Sequence, residues 1–337
     1  MSPYLSKSLL LLSLALVICG LVYPLSLWVV GQAFFPFQAN GSLLTGPDGN
    51  PVGSRLIAQP FTREEYFQPR PSAALYDASA SASSSLAASN YALRERVARM
   101  LGPMVKYRTG PRAGQLAAPD IERWFRQDAF QGKPHIVAQW AALHNSPAIA
   151  WVRADPAHEV YVEVWAKSHP AVVARFIEDN PDIPEPKAVD LAVVFFETFS
   201  RENPGRFPAA VRGAGVDGRS ETRIEPVGEG PEVRSIFFDM WLQDHPGADL
   251  EGVPGDMVTA SASGLDPDIT LRNAEFQLDR VAAEWAAGLK RDPAAVRKEI
   301  GQLLEEKARA PARGLFGEKM LNVLELNLEL RRRYGAL

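Results

Sequence analysis

The feature that most constrains this chain is a long apolar run near its N-terminus. Residues 8–31 read SLLLLSLALVICGLVYPLSLWVVG and carry no charged side chain. An α-helix rises about 1.5 Å per residue, so roughly 20 such residues cross the hydrocarbon core of a bilayer. The apolar region of a cleaved signal peptide is usually about 7–15 residues long. The run therefore predicts an uncleaved transmembrane helix from Ser8 to Gly31 that contains Tyr23 and Pro24; the alternative is a signal peptide cleaved after the small-x-small sequence GQA.

The charges on either side of this run predict how the chain is oriented. Lys7 and the terminal amine precede the run, and the first charge that follows it is Asp48. Positively charged flanks stay in the cytoplasm, so residues 1–7 are expected there and the bulk of the chain is expected to be exported. Pro24 removes a backbone donor inside the helix, which membranes tolerate when a neighbouring helix covers the freed carbonyl. We therefore expect a partner helix.

Composition excludes several functional classes for the exported part. The only cysteine, Cys19, lies inside the apolar run, so no disulfide, iron–sulfur cluster or thiolate zinc site is expected beyond it. The net charge is −4, and the basic run Arg331–Arg333 is too short to form a nucleic-acid-binding surface. The length of 337 residues allows one large domain or two small ones.

The residues that follow the apolar run predict a mixture of strands and helices. Two apolar runs, Ser42–Leu44 and Val52–Ala58, flank turn residues 46–49 and predict a β-hairpin. The proline-interrupted segment YFQPRPSA is not a regular element, and the Ser/Ala-rich segment after it is a loop. Asn90 is a helix cap for the sequence YALRERVARML, whose apolar residues recur every four positions.

The C-terminal third predicts three helices. Asp266 and Pro267 have the form of a cap and first helical residue, followed by an approximate apolar stripe at Ile269, Asn273, Phe276, Val281 and Trp285. The pair Asp292–Pro293 repeats this device. The sequence NVLELNLEL alternates like a strand, yet Asn322 and Glu325 have capping-box spacing, so we favour a helix there.

The middle segment repeats one short motif. Seven times an aromatic residue is followed four positions later by His, Asp or Asn: Trp124–Asp128, Trp140–His144, Trp151–Asp155, Trp165–His169, Phe176–Asn180, Phe199–Asn203 and Trp241–His245. In five of these pairs a proline comes next. Positions i and i+4 share a helix face, and a residue before proline disfavours the α conformation. The segment is therefore predicted to be a cluster of short helices, each anchored by an aromatic residue.

No motif for catalysis or ligand binding is present. The five histidines lie at 135, 144, 158, 169 and 245, but no HxH, HxxxH or HExxH spacing occurs, so we expect no metal ligands. Phosphate-binding loops, a GxSxG elbow and a Ser-x-x-Lys motif are absent as well. Ser263, Asp266 and a remote histidine could form a triad only in the folded chain, and nothing local supports one. The acidic pairs Glu64–Glu65 and Glu305–Glu306 are interpreted as solvated faces. We therefore predict no catalytic, cofactor-binding or metal-binding residues.

Five sequence blocks in register carry a resemblance. NGSLLTGPDGNPVGSRLIAQPF, YFQPRPSAALYD, SNYALRERV, VPGDMVTASASGLDP and NVLELN are similar to the C subunit of the Kdp-type potassium-transporting ATPase, the KdpC family. The resemblance covers residues 4–100 and 253–330, including LVYP in the apolar run. Where the family has a glycine-rich GGSNLG-like run, this chain has ASASASSSLAAS. Where the family has a short connection, this chain has about 150 residues.

The resemblance implies an accessory subunit of a pump in the bacterial inner membrane. The implied fold is a single N-terminal transmembrane helix plus an exported α+β domain, formed by residues 32–101 and 252–337, that carries a mostly α-helical insertion at 102–251. The implied partners are a channel-like K⁺-binding subunit, a P-type ATP-hydrolysing subunit and membrane lipid, with no nucleic acid; ATP and K⁺ are handled by the partner subunits. The family is described as raising the ATP affinity of the hydrolysing subunit. Because ATP is cytoplasmic and this domain is expected outside, such an effect would be allosteric.

Two alternatives remain open for the polar loops and the histidines. Arg70, Ser72, Ser261, Ser263 and Asp266 are candidate contacts with the channel-like subunit or structural loop-formers. A different class of function is a membrane-anchored exported hydrolase or docking domain that uses the histidines of the middle segment.

Overall fold

A computed structural model describes residues 3–46, 48–87, 89–143, 146–214, 220–314 and 317–335. Pro47 of the predicted turn, Ala88 of the Ser/Ala loop and His144 of the repeated motif lie outside these residues. The α-helices are α1 (Pro3–Val17), α2 (Tyr23–Phe34), α3 (Pro36–Ala39), α4 (Tyr91–Met104), α5 (Ala118–Arg126), α6 (Ile136–Ala141), α7 (Pro147–Ala154), α8 (Pro156–Ser168), α9 (Pro170–Asp179), α10 (Ala192–Glu202), α11 (Pro231–Asp244), α12 (Gly255–Val258), α13 (Leu271–Leu289), α14 (Pro293–Lys307) and α15 (Val323–Tyr334). The strands are β1 (Leu43–Thr45), β2 (Pro51–Ser54), β3 (Ala129–Phe130), β4 (Lys133–Pro134), β5 (Phe207–Ala214), β6 (Ser220–Val227), β7 (Asp268–Thr270) and β8 (Met320–Asn322).

The N-terminal apolar run is helical throughout. Helices α1 and α2 are joined by a π-helical turn, Ile18–Val22, so that one helix continues from Tyr4 to Phe34. This helix is long and apolar enough to cross a membrane, and none of the side chains described along its membrane-length run is buried. The predicted helix is confirmed, and the π-helical turn before Pro24 is an addition that the sequence did not predict.

The chain divides into two compact units. The first unit comprises residues 1–85 and 254–337, and the second comprises residues 86–253. Helix α4 lies in the second unit, whereas most of its residues fall within the predicted exported domain at 32–101 and 252–337. The assignment of residues 102–251 as an insertion stays a prediction.

Beyond the N-terminal apolar helix, the first unit contains two small antiparallel strand pairs and three long helices. Strands β1 and β2 pair antiparallel with Leu43 opposite Ser54, which confirms the predicted hairpin. Strands β7 and β8 pair antiparallel with Ile269 opposite Leu321. Helices α13, α14 and α15 enclose an apolar core that contains the fully buried side chains of Phe67 and Trp285.

The first of the three predicted C-terminal helices does not begin where the sequence indicated. Asp266 and Pro267 precede strand β7, and helix α13 begins only at Leu271, with the Thr270 hydroxyl accepting from the amide of Asn273. The prediction of a helix start at Asp266 is therefore wrong. The two other predicted starts are confirmed, because Asp292 caps α14 and Asn322 caps α15 by accepting from backbone amides.

The second unit is mostly helical, as predicted, with one long hairpin that the sequence analysis missed. Strands β5 and β6 pair antiparallel from Phe207 opposite Val227. The core is rich in aromatic rings that pack edge-to-face, and its largest fully buried members are Phe125, Phe195, Phe196, Phe207, Phe237 and Trp241. Helices α4 and α11 pack closely, since a side chain at Gly102 would collide with the carbonyl oxygen of Arg234.

Candidate subunit interface

The structure brings the five predicted interface residues together in one place within the first unit. The loop at 259–267 is held by three carbonyl oxygens that accept hydrogen bonds from the segment 58–82. Ala58 N–H donates to Leu265 O at 2.9 Å, and Ala82 N–H donates to Ser263 O at 3.0 Å. Between these two bonds, the Ser72 hydroxyl donates to Gly264 O at 2.6 Å. The two loops therefore form one connected surface feature, which we call the loop pair.

The contact between the two loops requires glycine at position 264. Gly264 has φ of +71°, a left-handed conformation that side chains rarely adopt. A Cβ atom here would lie 2.6 Å from Ala82 O and 3.0 Å from Ala74 N. Both the backbone conformation and the close approach of the neighbouring segment therefore depend on the absence of a side chain.

Ser72 organises a strained turn on the opposite loop. Its hydroxyl oxygen accepts from Ala74 N–H at 3.1 Å and from Tyr76 N–H at 2.9 Å while donating to Gly264. Leu75 and Tyr76 follow with φ of 52° and 59°, so two consecutive non-glycine residues are left-handed. The Leu75 side chain is 86% exposed, whereas burial raises the pKa of the Tyr76 phenol, whose hydroxyl donates to Arg70 O at 2.8 Å.

An ion pair closes one end of the loop pair. Arg70 Nη1 lies 3.3 Å from Asp266 Oδ2, and both side chains are about one-quarter to one-third exposed. The other carboxylate oxygen of Asp266 accepts from Asp268 N–H at 3.1 Å. Arg70 Nε is buried and has no hydrogen-bond partner in the described part of the chain. The Arg70 guanidinium is therefore held in place and only partly satisfied.

The two serines of the loop at 259–267 act as hydrogen-bond acceptors for the backbone. The buried Ser261 hydroxyl oxygen accepts from Gly264 N–H at 3.0 Å, and that of Ser263 accepts from Leu265 N–H at 3.1 Å. All five histidines lie between residues 135 and 245, so the first unit contains no imidazole that could activate either serine. The geometry of the loop pair is that of a rigid turn with an exposed edge.

The described histidines of the second unit are used mainly at helix ends. His169 Nδ1 contacts Trp165 O at 2.9 Å, and His245 Nδ1 contacts Trp241 O at 2.8 Å. Each imidazole also stacks on the ring of the tryptophan four residues earlier. Asparagine makes the corresponding hydrogen bond at two further repeats, where the Asn180 and Asn203 amides donate to the carbonyls of Phe176 and Phe199 at 2.8 and 3.1 Å. At these four repeats the motif thus ends a helix by bonding a side chain to the carbonyl of its own aromatic anchor.

The repeat at Trp151 uses a different donor. An ionised aspartate cannot donate to a carbonyl, and Asp155 instead accepts from Ala157 N–H at the start of the next helix. The carbonyl of Trp151 is met by Nδ1 of His158 at 2.7 Å, and the two rings stack at 3.8 Å. His135 differs from the rest, because its Nδ1 lies 3.1 Å from the carboxylate of Asp128.

One of these helix ends superficially resembles a catalytic triad. Ser168 Oγ lies 2.9 Å from His169 Nδ1, and His169 Nε2 lies 3.1 Å from Glu202. However, the Trp165 carbonyl can only accept, so Nδ1 carries a proton directed at it, and Ser168 donates to the same carbonyl at 2.7 Å. The hydrogen bonds to Trp165 and Glu202 raise the pKa of His169. Because Nδ1 directs its proton at the Trp165 carbonyl, it has no lone pair with which to act as a base toward Ser168, so this cluster is a helix cap.

Sequence reasoning missed three features of the loop pair. The left-handed conformations of Leu75 and Tyr76 leave no trace in the sequence, because such residues are normally glycine or asparagine. Gly264 appears in the sequence only as one residue of the block VPGDMVTASASGLDP. A glycine in this Ser-rich loop is the one sequence signal that indicates a close approach of another backbone segment.

Comparisons with known proteins match the two parts of the chain that carry the sequence resemblance. The family described as KdpC, K⁺-transporting ATPase c chain, matches residues 5–115 and 237–332. A potassium-transporting ATPase KdpC subunit from Pseudomonas aeruginosa is 54% identical over 92 residues, which are 27% of this chain and 49% of that relative. One from Pseudomonas putida is 43% identical over 111 residues, 33% of this chain and 61% of the relative.

A third relative matches over the whole length. A potassium-transporting ATPase KdpC subunit from Caulobacter vibrioides is 27% identical over 339 aligned residues, 100% of this chain and 97% of the relative. The alignment to this chain thus spans about half the length of the Pseudomonas aeruginosa relative, and nearly all of the Caulobacter vibrioides one. The middle segment therefore has a counterpart in at least one similar protein.

Proposed function

The chain belongs to the KdpC family, since the family match covers more than half of its residues, and we propose that it is an accessory, non-catalytic subunit of an ATP-driven, high-affinity potassium uptake pump. The observation that carries the proposal is the position of the matched blocks. They cover the N-terminal apolar helix and nearly all of the first unit, including the whole loop pair. Its partners would be a channel-like K⁺-binding subunit and a P-type subunit that hydrolyses ATP.

The proposed location is the bacterial inner membrane, crossed once by the N-terminal helix. Lys7 precedes the apolar run of this helix and would hold the N-terminus in the cytoplasm, with both units in the periplasm or outside the cell. Cytoplasmic ATP is then out of reach of both units. An effect on the ATP affinity of the hydrolysing subunit would act by favouring one conformation of the complex.

The loop pair is the surface that we propose for contact with the channel-like subunit. Arg70, Ser72, Ser261, Ser263 and Asp266 hold the turn rigid, so little conformational entropy would be lost when a partner binds. The turn exposes the apolar side chain of Leu75, and the guanidinium of Arg70 in the same loop is only partly satisfied. Arginine is enriched at interfaces relative to the rest of the protein surface.

Most of the second unit is proposed to be an insertion into the family fold. The family match stops at residue 115 and resumes at residue 237, and the unmatched residues between these two blocks all lie inside the second unit. Helix α4 and the end of α11 are matched, and these helices pack together, with Arg94 Nη2 2.8 Å from Asp239 Oδ1. A segment whose two ends are adjacent can be added with little distortion, which supports an insertion corresponding to the predicted 102–251.

Reconstitution tests this proposal. The chain is expressed with the pump subunits, purified through a tag on this chain, and assayed for K⁺-stimulated ATP hydrolysis over a range of ATP concentrations. We expect pump subunits to co-purify in fixed ratio, and omission of this chain to reduce assembly or raise the KM for ATP. Recovery of the chain alone, with a hydrolase activity lost in His169→Asn, would support the hydrolase alternative instead.

A matched pair of arginine variants tests the loop pair. Arg70→Ala removes the guanidinium at the proposed interface, whereas Arg297→Ala removes an exposed guanidinium that pairs with Asp279 on the helical face. Only Arg70→Ala is expected to weaken co-purification. Equal recovery of the pump with both variants would show that Arg70 is a loop-former without an interface role. Replacing residues 116–230 by a short Gly/Ser linker is expected to leave co-purification intact, because the matched blocks are kept.

A further inference from the structure

The N-terminal helix contains two carbonyls that lose their usual α-helical donors. In the π-helical turn Ile18–Val22, the amide of Tyr23 bonds to Ile18 O, five residues back. The carbonyl of Cys19 therefore loses the donor that a regular α-helix would give it. Residue 24 is proline and has no N–H, so the carbonyl of Gly20 loses its donor too.

These two carbonyls lie at the middle of the apolar helix. The helix extends from Tyr4 to Phe34, so Cys19 and Gly20 are about 22 Å from either end at ~1.5 Å per residue. In a bilayer this position is the centre of the hydrocarbon, where no water or lipid headgroup reaches. An unsatisfied backbone group there costs several kcal/mol unless protein satisfies it.

The helix surface at this point is open to a close neighbour. Gly20 has no side chain, and nothing within the described residues comes within 4 Å of the position that its Cβ would occupy. Small residues allow another helix to approach closely enough for side-chain hydrogen bonds to backbone carbonyls. The partial negative charge of two adjacent carbonyl oxygens is complemented by an N–H or O–H donor.

We propose that the carbonyls of Cys19 and Gly20 form a docking site for a transmembrane helix of a partner subunit that presents a hydroxyl or amide side chain at the bilayer midplane. The inference rests on the proposed function, because it requires this helix to remain in the membrane as part of the pump. The donor supplies the hydrogen bond that Pro24 removes, and the bare surface at Gly20 lets it reach the carbonyl.

A second copy of this chain has one hydroxyl near the depth of the site. Two copies inserted in the same orientation would bring residues 19 and 20 of each helix to the same depth, and neither residue carries a hydroxyl or amide donor. The nearest hydroxyls of the apolar run belong to Ser13, Tyr23 and Ser26. Those of Ser13 and Ser26 lie about 9 Å or more away along the axis, and Ser26 already donates to Tyr23 O at 2.8 Å. Tyr23 lies only about 5 Å away along the axis, so cross-linking from Cys19 distinguishes a second copy from the partner-subunit helix that we propose.

Three variants of the full chain, expressed with the pump subunits, test the site. Gly20→Leu covers the carbonyls, and Ala15→Leu places the same side chain about 1.4 turns away as the matched control. Pro24→Ala restores an amide donor within the helix and so reduces the need for a partner. We expect recovery of the pump in mild detergent to fall roughly three- to thirtyfold for Gly20→Leu, less for Pro24→Ala, and hardly at all for Ala15→Leu.

Cross-linking from the only cysteine gives an independent readout. A photoactivated cross-linker attached to Cys19 is expected to join this chain to a pump subunit, and the same reagent on Ala15→Cys in a Cys19→Ser background is expected to do so much less. Adducts with a second copy of this chain, or equal recovery for Gly20→Leu and Ala15→Leu, would overturn the site. These outcomes differ from failure of the proposed function, in which the unsubstituted chain itself would recover no pump subunit.

Discussion

Replacing Gly264 by alanine should loosen the loop pair without affecting the second unit. The substitution forces alanine into a left-handed conformation, which costs about 1–2 kcal/mol. It also places a methyl group 2.6 Å from Ala82 O, and backbone displacement on this scale typically costs about 1–3 kcal/mol. We therefore expect a loss of about 2–5 kcal/mol in the stability of the first unit.

Hydrogen exchange resolves this loss by region, which a single unfolding curve for two units would not. The amides of Ala58 and Ala82 donate directly to the loop that contains Gly264, so their peptides report on the contact. At about tenfold per 1.4 kcal/mol, their exchange should accelerate by roughly thirtyfold to several thousandfold. Peptides from helix α10 of the second unit should exchange at the unaltered rate.

Gly49→Ala is the matched control. Gly49 has φ of +79°, but nothing lies within 4 Å of the position that its Cβ would occupy. This variant bears only the conformational cost, about 1–2 kcal/mol, and bears it in the β1–β2 turn. If Gly264→Ala accelerated exchange no more than Gly49→Ala, the close approach of the two loops would be refuted as the source of rigidity.

Three further predictions test individual contacts. Ser72→Ala removes three hydrogen bonds of the strained turn and should lower the stability of the first unit by about 1–3 kcal/mol, measured as faster exchange at Tyr76. The buried Asn327 accepts from Phe67 N–H and donates to Phe67 O, both at 2.9 Å. Asn327→Asp keeps the first bond and loses the second, so the free energy of unfolding of the first unit is expected to fall by about 2–4 kcal/mol, measured as a lower urea midpoint. The folded-state pKa of His169 is raised, so its contribution to stability is full below the unfolded pKa of about 6.5 and is lost as pH rises through the folded value. His169→Asn keeps a cap of the kind found at two other helix ends, and the urea midpoint of the second unit should then lose this pH dependence; an unchanged pH dependence would contradict the assignment.

Local signals predicted many of the helices, because caps and their helices are close in sequence. Asn90, Asp292 and Asn322 each accept from a backbone amide two or three residues ahead, as their positions indicated. The aromatic motif of the middle segment also predicted helix ends. The structure adds the reason why histidine and asparagine serve there, since both can donate to the carbonyl of the aromatic residue four positions earlier.

Long-range pairing explains where the predictions failed. Asp266–Pro267 has the local form of a helix start, but the next three residues pair with strand β8, and Asn322 donates to Asp268 at 3.1 Å. This pairing delays the helix to Leu271, and burial raises the pKa of the Asp268 carboxyl beside it. The candidate interface is likewise formed by residues that are far apart in the sequence. Arg70 and Ser72 are more than 190 residues from their partners in the loop pair, so the sequence predicted them as candidate interface residues but not their contacts with one another.

The loop pair also dictates an order of events during synthesis. One of its loops precedes the second unit in the chain, and the other follows it. Ribosomes add about 5–20 residues per second, so the segment 58–82 waits on the order of ten to thirty seconds for the partner that completes its hydrogen bonds. Throughout that interval the second unit can fold by itself, whereas the amide of Ala58 and the hydroxyl of Ser72 have no acceptor at 264–265 to meet. The first unit is thus completed after the second, although one part of it precedes the second in the chain.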